Sequence, residues 1–326
     1  MMTGRRAESG RPRILVAESS GFSETAAGSL RAAGELRLAD LDRRGLLAQV
    51  GDFDALWVRL RHRIDAEVLT AAPRLRFLAT PTTGLDHVYT GLAAARGVQV
   101  VALRGEEAFL RDVRATAEHT LALSLALVRS LPAAVDHVRA GGWDRDRFWG
   151  TEIHGKTVGI VGYGRLGRLV ARSMGALDAT VLATDPALAA DDFAGSVEST
   201  SMPDLLERSD IVTLHASLTT ESRRLIGRLE FARMKQGALL VNTARGALVD
   251  EPALLDALRS GPLGGAALDV LADEHTDGNS ELVAYAREHP NLLITPHIGG
   301  STVESREKTE RFIAERLAEA LAQWRQ

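Results

Sequence analysis

The run Thr157-Val-Gly-Ile-Val-Gly162-Tyr-Gly164-Arg165-Leu166-Gly167 sets glycines in a Gly-x-Gly-x-x-Gly spacing, directly after a β-rich stretch and at the start of a helix-like one. Such a turn suits a diphosphate. The first glycine allows the tight turn, the second leaves room for close approach, the third packs helix on strand, and the helix N-terminus meets the negative charge. The next β-rich stretch, Thr180 to Thr184, ends at Asp185, whose carboxylate can accept hydrogen bonds from both ribose hydroxyls and would repel a 2'-phosphate. Pro186 and Ala187 offer that phosphate no cation. These residues point to NAD rather than NADP, with Gly162, Gly164, Arg165, Leu166, Gly167 and Asp185 as its contacts. A second constellation is Arg59, Arg61 and Arg63 at alternate positions. On an extended segment they share a face and would form either an anion site or a charged surface loop.

These residues need a scaffold of alternating strands and helices. From Arg13 onward, β-rich runs (Ile14 to Ala17, Ala55 to Val58, Leu75 to Ala79, Val98 to Leu103) alternate with helix-like segments (Phe22 to Ala33, Asp65 to Ala72, Tyr89 to Arg96). This is βα repetition and predicts a parallel sheet covered on both faces. A long Ala/Leu helix over Ala115 to Leu131 is expected to stop at Pro132, and the polar stretch Ala140 to Gly150 suggests a nearby boundary. Alternation then restarts with strands predicted at Thr157 to Val161, Thr180 to Thr184, Ile211 to Leu214, Ala238 to Asn242, Gly265 to Leu268 and Leu292 to Thr295. That set suits a dinucleotide fold. A final helix is predicted over Thr302 to Trp324, with Phe312, Ile313, Leu317, Leu321 and Trp324 on one face.

A chain of 326 residues with 45% hydrophobic and 25% charged residues has material for two globular domains. Lys+Arg 39 against Asp+Glu 43 gives a net charge of -4, which argues against nucleic acid or an anionic membrane as partner. With Cys 0, thiolate chemistry and cysteine-ligated metals are excluded, and a reducing, cytoplasmic setting is expected. Met1 to Arg13 has no signal-like apolar core, and the longest apolar run, Leu121 to Val128, falls short of the roughly 20 residues of a spanning helix. There is no His-Glu-x-x-His and no Gly-x-Ser-x-Gly, so a metal hydrolase and a serine hydrolase fit poorly, and no metal site is expected.

The chain resembles the D-isomer-specific 2-hydroxyacid dehydrogenases along nearly its whole length. The resemblance rests on the glycine motif and on Thr83-Gly84-Leu85-Asp86-His87, Ala117-Glu118-His119-Thr120-Leu121, Val241-Asn242-Thr243-Ala244-Arg245-Gly246, Leu268-Asp269-Val270 followed by Glu274, and Thr295-Pro296-His297-Ile298-Gly299-Gly300. It implies a Rossmann dinucleotide-binding domain (114–299), a flavodoxin-like substrate domain (1–113 with 300–326), a cleft between them, and a homodimer. The implied roles are substrate binding for Arg245, general acid/base for His297 and support of that histidine for Glu274. Ala244 and Asp269 would join the cofactor contacts, with a turn or capping role as the alternative for Asp269. Thr83 and Gly84 would bind the substrate carboxylate through backbone N–H groups. Glu118 and His119 read as structural.

The residue types suit that chemistry. A guanidinium binds the carboxylate of a 2-oxo acid through paired hydrogen bonds and polarises the adjoining ketone. An imidazole exchanges the proton that accompanies hydride transfer, and a neighbouring carboxylate favours its charged form. The Arg59 segment resembles the one phosphoglycerate dehydrogenases use for substrate, which opens the possibility of a phosphate- or phosphonate-bearing acid. Asp112 stands where relatives often carry Asn, His275 where proline is usual, and the stretch from Asp273 to Pro290 is long; all three leave the substrate open. A second reading stays alongside, an NAD(H)-sensing scaffold of the co-repressor kind.

Overall fold

The computed structural model describes residues 10–274 and 280–325; His275 lies outside the described residues, as does part of the long segment after Glu274. The chain divides into two compact units, 1–113 with 302–326, and 114–301. The polar stretch 140–150 therefore lies inside the second unit, and the first crossing precedes the Ala115 helix.

The first unit is built on strands β1 (Arg13–Val16), β2 (Glu35–Leu38), β3 (Ala55–Trp57), β4 (Phe77–Thr80) and β5 (Gln99–Ala102), all parallel in the order β2-β1-β3-β4-β5. This is the flavodoxin-like order. Strand periodicity of two assigns the faces. Leu15, Leu56 and Leu78 pack with Leu46, Val68 and Leu69 on one side, while Ile14, Val16, Trp57 and Phe77 pack with Leu30, Ile313, Leu317 and Leu321 on the other. The last helix, Val303–Arg325, thus covers a sheet formed by the start of the chain. The sequence pattern misses β2 because Glu-Leu-Arg-Leu is largely exposed at the sheet edge, where charge discourages pairing with another chain.

The second unit holds β6 (Thr157–Val161), β7 (Thr180–Thr184), β8 (Glu198–Ser199), β9 (Ile211–Leu214), β10 (Ala238–Asn242), β11 (Leu263–Leu268) and β12 (Leu292–Ile294), parallel in the order β12-β11-β10-β9-β6-β7-β8. The order reverses at β6/β9, the doubly wound arrangement that receives ligands outside the strands' carboxyl ends. The Ala115 helix ends at Val128, earlier than expected. Ser130 takes a left-handed φ of 48° and Pro132 sits in the first turn of a second helix, Leu131–Arg139, where its missing N–H costs nothing.

Candidate active site

The glycine turn follows β6. Gly162 has φ 92°, and a Cβ there would lie 2.6 Å from the Ala216 nitrogen; a Cβ on Gly167 would lie 2.1 Å from the Gly162 carbonyl oxygen. Neither position admits a side chain. A Cβ on Gly164 would meet nothing within 4 Å, so the open side of the turn is at this glycine. The helix Arg165–Gly175 starts here without a side-chain cap, with Arg165 and Leu166 half-buried in its first turn. Burial holds the Arg165 guanidinium below its usual range. Asp185, after β7, accepts the Tyr163 N–H at 2.9 Å and the Ala187 N–H at 3.0 Å, which fixes its carboxylate beside the turn. A cradle without side chains, an uncapped helix N-terminus and an oriented acid fit a dinucleotide.

Three adjacent strands present the remaining groups at the same sheet edge, with Asn242 of β10 in register with Leu268 of β11, and Leu268 with Ile294 of β12. After β10, the buried Asn242 amide shapes the turn: its Nδ2 donates to the Arg245 carbonyl at 2.9 Å and its Oδ1 accepts the Ala244 N–H at 3.0 Å. Thr243 Oγ1 lies 2.7 Å from Thr120 Oγ1, tying the turn to the Ala115–Val128 helix. Arg245 emerges half-buried, with Nη1 donating to the Ala244 carbonyl at 2.6 Å. Gly246 is packed so closely on Leu271 that a Cβ would lie 1.9 Å from its carbonyl carbon.

After β11, Asp269 is 1% exposed and organises the loop beyond β12. Its carboxylate accepts Thr295 Oγ1 at 2.6 Å, the Ile298 N–H at 2.9 Å and the Gly299 N–H at 2.7 Å, and lies 3.2 Å from His119 Nε2. His297 is held inside this loop at φ 54°, a left-handed backbone uncommon for a residue with a Cβ. Its Nδ1 lies 2.7 Å from Glu274 Oε2. With Nδ1–H donated to that carboxylate, Nε2 is left to give or take a proton, and it makes no hydrogen bond among the described residues. The Asp269 carboxylate thus holds the loop that carries His297. His119 and Thr295 belong to the same network; His119 reads from sequence as structural, and nothing local in the sequence singles out Thr295.

In the first unit, Thr83 and Gly84 lie in the loop after β4, and their N–H groups donate to no described residue. Arg59, expected to be available to a substrate anion, is committed within the protein. Its Nε donates to Glu310 at 2.9 Å and Nη2 to the same oxygen at 2.5 Å, while Nη1 donates to the carbonyls of Glu18 at 2.9 Å and Ser20 at 3.0 Å. No metal-ligating cluster occurs among the described residues, and no single helix among them is long and apolar enough to cross a membrane.

A doubly wound domain with this glycine turn, with an arginine after β10 and a carboxylate-paired histidine after β12, has the make-up of a nicotinamide-dependent dehydrogenase fold. The family profile described as "D-isomer specific 2-hydroxyacid dehydrogenase, NAD binding domain" matches residues 121–299. D-3-phosphoglycerate dehydrogenase of Mycobacterium tuberculosis (strain ATCC 25618 / H37Rv) is 42% identical over 313 residues, 95% of this chain and 57% of that protein. Glyoxylate reductase of Thermofilum pendens is 38% identical over 287 residues, 86% of this chain and 81% of that protein. The crystal structure of D-lactate dehydrogenase from Aquifex aeolicus, complexed with NAD and lactic acid, superposes with a TM-score of 0.83 at 26% identity, covering 96% of each chain. The chain belongs to the D-isomer specific 2-hydroxyacid dehydrogenase family of NAD-dependent oxidoreductases, and the match to the NAD-binding profile falls inside its second unit. It spans little more than half the length, 57%, of the mycobacterial phosphoglycerate dehydrogenases it matches.

Proposed function

We propose that the protein transfers hydride between NAD and a D-2-hydroxy acid, the reverse direction reducing the 2-oxo acid. The carrying observation is the His297–Glu274 contact of 2.7 Å, one strand removed from the turn presenting Arg245. The nicotinamide, when bound, supplies or accepts the hydride. Arg245 binds the substrate carboxylate through paired N–H groups and draws charge from the adjoining oxygen. His297 Nε2 receives the hydroxyl proton in oxidation and returns it to the oxygen in reduction, while Glu274 stabilises the imidazolium that forms. Gly162, Gly164, Gly167, Asp185 and Ala244 are the proposed dinucleotide contacts, and Thr83 and Gly84 the second carboxylate donors.

The scaffold reading is not favoured, since the matched relatives are named dehydrogenases and reductases. The test is NADH oxidation, followed by its absorbance, with glyoxylate, pyruvate, hydroxypyruvate and phosphohydroxypyruvate. Turnover of at least one supports the reading; NADH binding without oxidation by any 2-oxo acid overturns it.

We further propose a homodimer. Leu131, Val135 and Val138 recur on one face of their helix with exposures of 53%, 39% and 50%, and Trp143 and Trp149 nearby are 89% and 83% exposed. Apolar area of this kind marks an interaction surface. Sedimentation at micromolar concentration should give a dimer; a monomer overturns it.

A further inference from the structure

Ligands of a flavodoxin-like sheet enter where strand order reverses, between β1 and β3 in the first unit. Glu18 follows β1 and the three arginines follow β3, so this edge is where a cationic loop would take an anion. In this protein the loop is already occupied by its own carboxylates. Glu18, 4% exposed, accepts the backbone N–H of Arg59 at 2.9 Å and those of Arg61 and His62 at 3.4 Å each. Glu310, 1% exposed on the last helix, holds Arg59 by two hydrogen bonds and accepts the Ser23 N–H at 2.7 Å. Arg61 pairs with Asp40 at 2.8 Å, and Arg63 donates to Tyr89 Oη at 3.1 Å.

We propose that Glu18 and Glu310 determine substrate specificity by excluding phosphorylated acids, so that the substrate is a 2-hydroxy or 2-oxo acid whose remainder carries no phosphate. The inference rests on the dehydrogenase reading above. A phosphate dianion at this edge meets two buried carboxylates and an arginine with four of its five N–H groups engaged. Binding it requires breaking the Arg59–Glu310 pair and leaving the buried Glu310 with only the more distant Arg306, at 3.8 Å, as counter-charge. An acid with an uncharged tail meets neither cost.

The test compares kcat/KM for hydroxypyruvate and phosphohydroxypyruvate with NADH, in the wild type and in Glu310→Gln, which keeps the volume and removes the charge. The wild type should prefer the unphosphorylated acid by about tenfold or more. Glu310→Gln should lower KM for the phosphorylated acid, with kcat for hydroxypyruvate near the wild-type value. A wild type that prefers the phosphorylated acid, or a ratio unmoved by Glu310→Gln, overturns the proposal. Calorimetry of 3-phosphoglycerate on the NAD-loaded proteins reads the same discrimination without turnover. Tighter binding by Glu310→Gln supports it, while equal binding, or none in either protein, overturns it. Absence of NADH oxidation with every acid counts against the dehydrogenase reading alone. Glu18→Gln offers a second variant on the same scale should Glu310→Gln not fold.

Discussion

Asp269 grips His297 from two sides: its carbonyl accepts the His297 N–H at 2.9 Å, while its carboxylate accepts the N–H groups of the next two residues at 2.9 and 2.7 Å. The end of β11 therefore sets the backbone of the loop that follows β12, and the left-handed conformation of His297 is the result.

Replacing Asp269 by Ala leaves two loop N–H groups and Thr295 without their acceptor in a buried setting. The unfolding free energy should fall by about 2–3 kcal/mol, and turnover should fall with it because His297 loses its placement. Denaturant titration and NADH oxidation check the two effects, and unchanged stability would show the carboxylate to be dispensable.

His297→Ala should bind NADH near normally and lose most of its turnover, since the Nε2 position then lacks a proton carrier. Glu274→Gln retains a hydrogen-bond acceptor but removes the charge that stabilises the imidazolium, so its kcat should fall about 10²–10⁴-fold with little change in NADH affinity. Steady-state rates and fluorescence titration of NADH separate the two quantities. Equal turnover in His297→Ala would refute the proton-transfer assignment.

His215 follows β9 with Nδ1 buried and without a hydrogen-bond partner among the described residues, while Nε2 lies 3.0 Å from Thr213 Oγ1. Burial pushes its pKa down to about 4. The unfolded chain takes up this proton near pH 6.5 and the folded one only near 4. The stability it contributes is thus present above the unfolded value and lost progressively as pH falls toward 4. Between neutrality and pH 5 the loss should be about 2 kcal/mol. Denaturant curves at both pH values should show it in the wild type and not in His215→Gln; identical slopes would place the titration elsewhere.

Arg59→Ala leaves Glu310, which is 1% exposed, without its hydrogen-bonded guanidinium and with only the longer Arg306 contact at 3.8 Å. Breaking such a pair from one side should cost about 3 kcal/mol, whereas Arg59→Ala with Glu310→Met should recover much of the loss. Thermal denaturation of the single and double variants gives the coupling directly. An additive cycle would show that the two side chains do not act as a pair.

Local chemistry explains what was legible in the residues alone. The glycine turn, the acid ending the next strand and the period-two apolar runs each depend on neighbours within a few positions, so strands such as Thr157–Val161 and Ala238–Asn242 read directly from their residues. The order of spaced motifs also put Arg245, Glu274 and His297 after successive strands, β10, β11 and β12. Strand β2 stayed hidden because an exposed edge strand needs no apolar face. The partners of Arg59 were set only by tertiary structure. Its spacing with Arg61 and Arg63 suits an anion, yet the carboxylate that holds it lies 251 residues away on the last helix. Which charge neutralises which is set by the packing that brings distant residues within hydrogen-bond range, and no local pattern in the chain encodes that distance.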